Sequence, residues 1–351
     1  MFDGRVALRP GYEISRVIRG GWQLAGGHGS VDRKEAVADL AAFCEAGIVT
    51  FDCADIYTGV EELIGEFRTE YARRNGEAAL GEVKVHTKFV PDLDGLARID
   101  RAQVRAVIDR SLRRLRADRL DLVQFHWWDY EVPGCVETAL WLEELRREGK
   151  IHLLGGTNFD APRTEALVEA GVPLASMQVQ YSLLDNRPEN GLVDACRRKD
   201  IHLLCYGSVA GGFLSDAWLG RPEPPPPLEN RSLTKYKLVI DDFGGWALFQ
   251  DLLGALRGVA DRHGADIATI ASRYVLDLPM VAAVIVGARD SSHLAANLGI
   301  SACRLTDADR GEIAAVLGRR QGPAGDAFGL ERDRNGRHGA IMKYNLSRQV
   351  A

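Results

Sequence analysis

Short apolar runs recur along the chain, separated by longer segments in which apolar positions return every three or four residues. The runs cover residues 18–22, 49–52, 83–87, 120–125, 152–155, 176–180, 202–206 and 281–286. Rich in Val, Ile and Leu and flanked by polar or glycine residues, they read as strands of a parallel sheet. Segments such as 33–46, 101–115 and 135–148 have the spacing of amphipathic helices, each with one apolar face to bury. Eight alternating strand–helix units with no clear boundary between them predict a closed (β/α)8, or TIM, barrel. We expect a single domain over residues 1–351, with a short N-terminal cap on the barrel floor and long loops around its other end.

The alternation is interrupted over residues 212–245, where Pro222 and the four prolines from Pro224 to Pro227 cannot sustain a helix or an interior strand. This stretch reads as a long loop leaving the seventh strand, on the face where a (β/α)8 barrel carries its active site.

Composition narrows the class without changing the fold. The 351 residues are 46% hydrophobic and 26% charged with a net charge of −5, which excludes a disordered chain and a broadly basic nucleic-acid surface. The arginines of 101–115 are interleaved with Asp100, Asp109, Asp118 and Asp121, as on a solvated helix face. No window approaches the ~20 apolar residues of a membrane span, and Met1-Phe2-Asp3-Gly4-Arg5 opens no apolar leader. A cytoplasmic protein is expected. Its six cysteines are scattered, without the close pairs of a zinc site.

Four ionisable residues follow three successive strand candidates: Asp52 and Tyr57 after the second, Lys88 after the third and His126 after the fourth. Each alone has an ordinary explanation, a helix cap or a structural ion pair. Together, at the catalytic end of a barrel, they suit one proton-transfer site. A tyrosine with a pKa of about 10 gives up its proton reluctantly near neutrality. An ammonium beside the phenol favours phenolate, and a carboxylate beside the ammonium fixes its place.

Phe51-Asp52-Cys53-Ala54-Asp55-Ile56-Tyr57 followed by Glu61-Glu62-Leu63-Ile64-Gly65, together with Thr87-Lys88 and His126-Trp127, resembles signatures of the aldo-keto reductase superfamily. The resemblance runs from about Gly20 to Asn297. It implies that Tyr57 is the general acid, Lys88 lowers its pKa, Asp52 pairs with Lys88, and His126 orients the substrate carbonyl. It also implies a nicotinamide site from Thr157, Asn158 and Gln178, with Tyr181 stacking on the ring. The glycine-rich stretch containing Tyr206, Gly207, Ser208 and Gly211 resembles the family's cofactor loop. Gly287, Arg289, His293 and Asn297 match its adenosine-phosphate segment. Arg289 in that role favours NADPH, with NADH as the second possibility because Asp290 adjoins it. By the same resemblance, the loop over 212–245 folds across the cofactor.

Trp22 and Trp127 are the expected walls of the substrate pocket, with Trp128 turned into the core, and His28 is a candidate polar contact. The implied function is reversible hydride transfer from NADPH to an aldehyde or ketone. The partner is a small molecule, with neither nucleic acid nor membrane involved. A cofactor-binding regulatory or sensor subunit with little turnover is the alternative. A metal-dependent barrel hydrolase is disfavoured, since no second histidine stands two or four residues from His126, and no metal site is expected.

Overall fold

Each apolar run forms a strand of one closed barrel in the computed structural model, which describes residues 4–25, 31–288 and 290–346. A hairpin of β1 (Arg5–Arg9) and β2 (Tyr12–Ser15) precedes it. The barrel strands are β3 (Val17–Gly20), β4 (Thr50–Asp52), β5 (Lys84–Phe89), β6 (Leu120–Phe125), β7 (Ile151–Thr157), β8 (Leu174–Gln180), β9 (His202–Tyr206) and β10 (Val281–Gly287). Neighbours pair in parallel in chain order, and β10 closes on β3 through Val284↔Val17 and Gly287↔Gly20. This is a (β/α)8 barrel.

Register determines where the chemistry collects. Gly20 lies opposite Asp52, Lys88 opposite Gln124, Thr157 opposite Gln178, and Gln180 opposite Tyr206, so the polar strand ends meet on one rim. The first barrel strand ends earlier than the expected 18–22. At Gly21 the backbone approaches the Asp52 carbonyl, to which Gly21 donates at 2.7 Å, and a Cβ there would sit 2.9 Å from that oxygen. Trp22 therefore begins a 3-10 turn, Trp22–Leu24.

At the other end the hairpin plugs the barrel. Leu8, Tyr12 and Ile14 pack onto the interior residues Ile18, Leu122 and Leu204, and the Tyr12 hydroxyl lies 3.2 Å from His86 Nε2. Outside, the helices Arg33–Glu45, Arg101–Leu115 and Cys135–Arg147 bury the apolar faces expected from their spacing.

The expected loop over 212–245 is corrected by the structure. Proline restricts the backbone only near 222–227, and from Asn230 the chain forms the helix Arg231–Phe243. The Asn230 side chain caps it by accepting from the Leu233 amide at 2.9 Å, and Tyr236, Val239, Ile240 and Phe243 are its buried face. The pocket rim on this side is a helix.

A C-terminal segment absent from the sequence-based expectations folds back across the rim, through the helix Gly329–Arg332 and the turn Gly339–Ile341. Tyr344 accepts from the Leu93 amide, Asp92 accepts from the Leu346 amide, and the Tyr344 ring packs 5.2 Å from that of Trp128. A buried ion network ties the segment to the barrel: Arg187 donates to Asp185 at 2.7 and 2.9 Å and to Glu331 at 2.8 and 3.1 Å, with all three side chains at most 1% exposed. Replacing Arg187 by Met strands two carboxylates inside the protein. Arg187→Met should lower the unfolding free energy by about 3–5 kcal/mol, the usual result of breaking a buried pair from one side. Urea denaturation of the variant measures this, and a loss under about 1 kcal/mol would show that the network contributes little.

Candidate active site

Asp52, at the end of β4, is the hub of the rim. Its Oδ2 accepts from Lys88 Nζ at 2.6 Å, and its Oδ1 accepts from Gln124 Nε2 at 2.9 Å and Gln178 Nε2 at 2.6 Å. Both charges of the pair are nearly fully buried, and Lys88 also donates to the Cys53 carbonyl at 2.8 Å. Burial opposes the Lys88 charge, but Asp52 and then Tyr57 more than offset it and push the ammonium up to about 12. Lys88 Nζ stands 5.2 Å from the centre of the Tyr57 ring. Burial raises the Tyr57 phenol above its ordinary value, and the Lys88 charge pulls the other way. Tyr57 is thus protonated at neutral pH with a cation placed to receive the charge of its phenolate.

His126 joins the same cavity from the end of β6. Its Nδ1 is 3.0 Å from the Thr157 carbonyl, which can only accept, so Nδ1 carries the proton. Its Nε2 is buried and has no partner among the described residues. Burial, reinforced by the Arg332 guanidinium, drives the imidazole down to about 3 against that hydrogen bond. A neutral ring results, steadied by Trp128 edge-on at 4.3 Å.

These side chains open on a cavity of about 650 Å³ that continues over the ends of β7–β10. Thr157, Asn158, Gln178, Tyr206, Gly207, Gly211, Gly287, His293 and Asn297 all line it. Asn158 takes a left-handed backbone, φ 63°, and its Oδ1 accepts from the Tyr206 hydroxyl at 2.9 Å. Asn297 Nδ2 is buried without a partner among the described residues. Gly207, at φ 77°, leaves no room for a Cβ, which would clash with the Tyr236 hydroxyl. Arg289 and His28 lie outside the described residues.

Two expectations are corrected. Trp127 is fully buried away from the cavity, its ring against Phe125 and its Nε1 donating to the Val132 carbonyl, whereas Trp128 lines the cavity. Alternation along an extended backbone explains this: with His126 facing inward, Trp127 must face outward and Trp128 inward. Tyr181 is buried with its hydroxyl donating to Glu189 at 2.7 Å, and Tyr206, at the end of the next strand, lines the cavity in its stead. Ser208 is buried, with its hydroxyl 3.0 Å from the Oγ of Ser272, which lines the cavity.

Trp22 is where expected, edge-on to Tyr57 at 5.1 Å. Sequence reading missed Gln124, Lys235, Tyr236, Phe328 and Arg332. An amide inside the otherwise apolar end of β6 was a usable signal for Gln124. The others come from a helix and a tail with no local motif. Arg332 donates to the Trp127 carbonyl at 3.2 Å and the Asn158 carbonyl at 2.7 Å, bridging the residues that follow His126 and Thr157. Among the described residues, no three His, Cys, Asp or Glu side chains are grouped to hold a metal ion, and no helix is long and apolar enough to cross a membrane.

Residues 16–317 match the model of the aldo/keto reductase family, and the chain belongs to that family. Its members are NAD(P)H-dependent oxidoreductases acting on small-molecule carbonyl compounds. The chain is 28% identical to aldo-keto reductase YhdN of Bacillus subtilis, over 88% of its own length and 91% of that relative. It is also 28% identical to flagellar radial spoke protein 5 of Chlamydomonas reinhardtii, over 64% of the chain and 49% of that protein, and so spans about half of this longer relative. Among solved structures it resembles the glycerol dehydrogenase AKR11B4 from Gluconobacter oxydans, with a TM-score of 0.76 at 25% identity over 93% of this chain and 98% of that one.

The buried imidazoles make stability depend on pH in a defined direction. Burial holds His86 down to about 4, with Asp52 opposing. Between an unfolded value of about 6.5 and that folded value, only the unfolded chain takes up the proton, so stability falls as pH drops through this window and is flat above it. Urea midpoints at pH 7.5 and 5.0 should therefore fall less on acidification for His86→Gln than for the wild type. Equal falls would mean that His86 titrates normally in the folded protein.

Proposed function

We propose that this chain reduces an aldehyde or ketone with NADPH, NADH being the second donor, and that the reaction runs back from the alcohol. The observation that carries this reading is the buried Lys88–Asp52 pair beside Tyr57, with the open Nε2 of His126 on the same cavity. A bound reduced nicotinamide dinucleotide supplies the hydride. Tyr57 gives its proton to the oxygen of the carbonyl being reduced, and Lys88 stabilises the phenolate left behind. Asp52 keeps Lys88 charged and aimed. His126, neutral with its proton on Nδ1, leaves Nε2 beside the reacting oxygen as an acceptor, which takes a hydrogen bond from the hydroxyl once it forms.

The residues present suit such a cofactor. Gln178 spends its amide nitrogen on Asp52 and Gln124, which leaves its carbonyl oxygen as an acceptor. Asn158 spends its Oδ1 on Tyr206, which leaves its nitrogen as a donor. That acceptor and donor complement the two halves of a nicotinamide carboxamide. Asn297, with its unpartnered buried amide, would take the adenine end, and the glycines from Gly207 to Gly212 admit a pyrophosphate to the backbone. Arg289 is assigned the 2′-phosphate by its place in the sequence alone. On that assignment Arg289→Ala weakens NADPH much more than NADH, and equal losses on titration would remove the role.

Tyr57→Phe should lower kcat for carbonyl reduction by a factor of about 10²–10⁴ while the nicotinamide cofactor still binds, because the donor acts only as charge develops on the oxygen. Lys88→Met should lower kcat similarly. Stopped-flow turnover with cofactor binding followed by fluorescence separates the outcomes: an undiminished kcat in Tyr57→Phe sinks the proton-donor role, and a Lys88→Met defect confined to KM makes Lys88 a binding residue.

A further inference from the structure

Lys235, on the helix Arg231–Phe243, sends its ammonium into the cavity with its side chain only 16% exposed. Three rings surround it: Nζ is 5.3 Å from the centre of Tyr206, 5.6 Å from Tyr236 and 5.8 Å from Phe328. Ring faces attract a cation but accept none of its three hydrogen bonds in the directional sense. The nearest carboxylate, Glu331, is 3.7 Å away and is already engaged by both terminal nitrogens of Arg187. Burial lowers the Lys235 pKa, against the pull of Glu331. A sheltered ammonium whose donors go largely unanswered gains by meeting an acceptor brought in by a ligand.

Its position says which ligand. The Phe328 ring that borders Lys235 also borders His126, at 5.6 Å between ring centres, so Lys235 and the reacting end of the cavity share one aromatic neighbour. The same cavity is walled by Trp22, Ile56, Val90, Trp128 and Met342, which are apolar, while Arg231 and Lys343 add positive charge to its lining. Phe328 and Glu331 lie beyond residue 317, outside the family match, so this corner belongs to the chain's own C-terminal segment.

Resting on the reductase reading above, we propose that Lys235 anchors an acidic group on the substrate, so that the site selects carbonyl compounds with an apolar body and a carboxylate set about one ring away from the carbonyl. The body fills the aromatic corner. The carboxylate answers the Lys235 donors, and this fixes the carbonyl beneath Tyr57 and His126.

The test compares 4-carboxybenzaldehyde with its neutral methyl ester, methyl 4-formylbenzoate, using the nicotinamide cofactor that turns over faster, in the wild type, Lys235→Met and Lys235→Arg. The wild type should prefer the acid by about tenfold or more in kcat/KM, the size of one charge-assisted hydrogen bond, and mainly through KM. Lys235→Met should bring that ratio near one, and Lys235→Arg should keep most of it. A wild-type ratio at or below one overturns the proposal without recourse to any variant. So does a ratio that survives in Lys235→Met, and a tenfold loss of cofactor affinity with the ratio intact would assign Lys235 to the cofactor pyrophosphate instead. If neither aldehyde is reduced, the reductase reading fails, and the anchor is then judged without turnover. In that case 4-methylbenzoate should bind the cofactor complex more tightly than 4-methylbenzamide, by fluorescence titration, in the wild type and not in Lys235→Met. Equal binding of the two would overturn it.

Discussion

The ion pair between Asp52 and Lys88 is the contact on which the rest of the rim depends. Two charges with side chains 5% and 6% exposed have lost most of their hydration, and a single bond of 2.6 Å between them would not restore it. The deficit is met by saturating both partners. Gln124 and Gln178 fill the second Asp52 oxygen, and the Cys53 carbonyl takes a second Lys88 proton. Those partners come from β4, β5, β6 and β8, so the pair forms only when the strands are in their observed register. A slip of one residue would turn each of these side chains to the other face of its strand. The chemistry and the barrel register are therefore one constraint.

A second constraint acts from the C-terminal segment. The Arg187–Asp185–Glu331 network anchors the short helix Gly329–Arg332, and from that anchor Phe328 reaches His126 while Arg332 grips the Trp127 and Asn158 carbonyls. Phe328 itself is held at φ 61°, a conformation that strains a non-glycine residue and persists only when its surroundings impose it. The same guanidinium helps keep His126 neutral. The tail thus sets the geometry and the electrostatics of a site whose central residues all lie before it in the chain.

Much of this was legible from spacing and residue type. All eight barrel strands fall where apolar runs mark them, because a strand buried on both faces must be apolar along its length. Asp52, Tyr57, Lys88 and His126 meet at one rim because each follows such a run, and parallel strands align their C-terminal ends. The loop boundary near 230 was misread because proline speaks only for its own neighbourhood, while Asn230 and the apolar spacing after it were the better signal.

Local sequence therefore determined the barrel, the order of its strands and which ionisable groups gather at its catalytic end, since periodicity and residue type act over a few neighbours. Which face each aromatic presents was decided only by the tertiary structure. Trp127 and Trp128 differ by one step along the backbone, and the inward turn of His126 settles which of them reaches the cavity. Lys235, Phe328 and Arg332 reach the site only because contacts between residues far apart in the chain bring a helix and a tail over the rim. No pattern within a segment records contacts of that kind, because their energy arises from burial and pairing that exist only once the chain has folded.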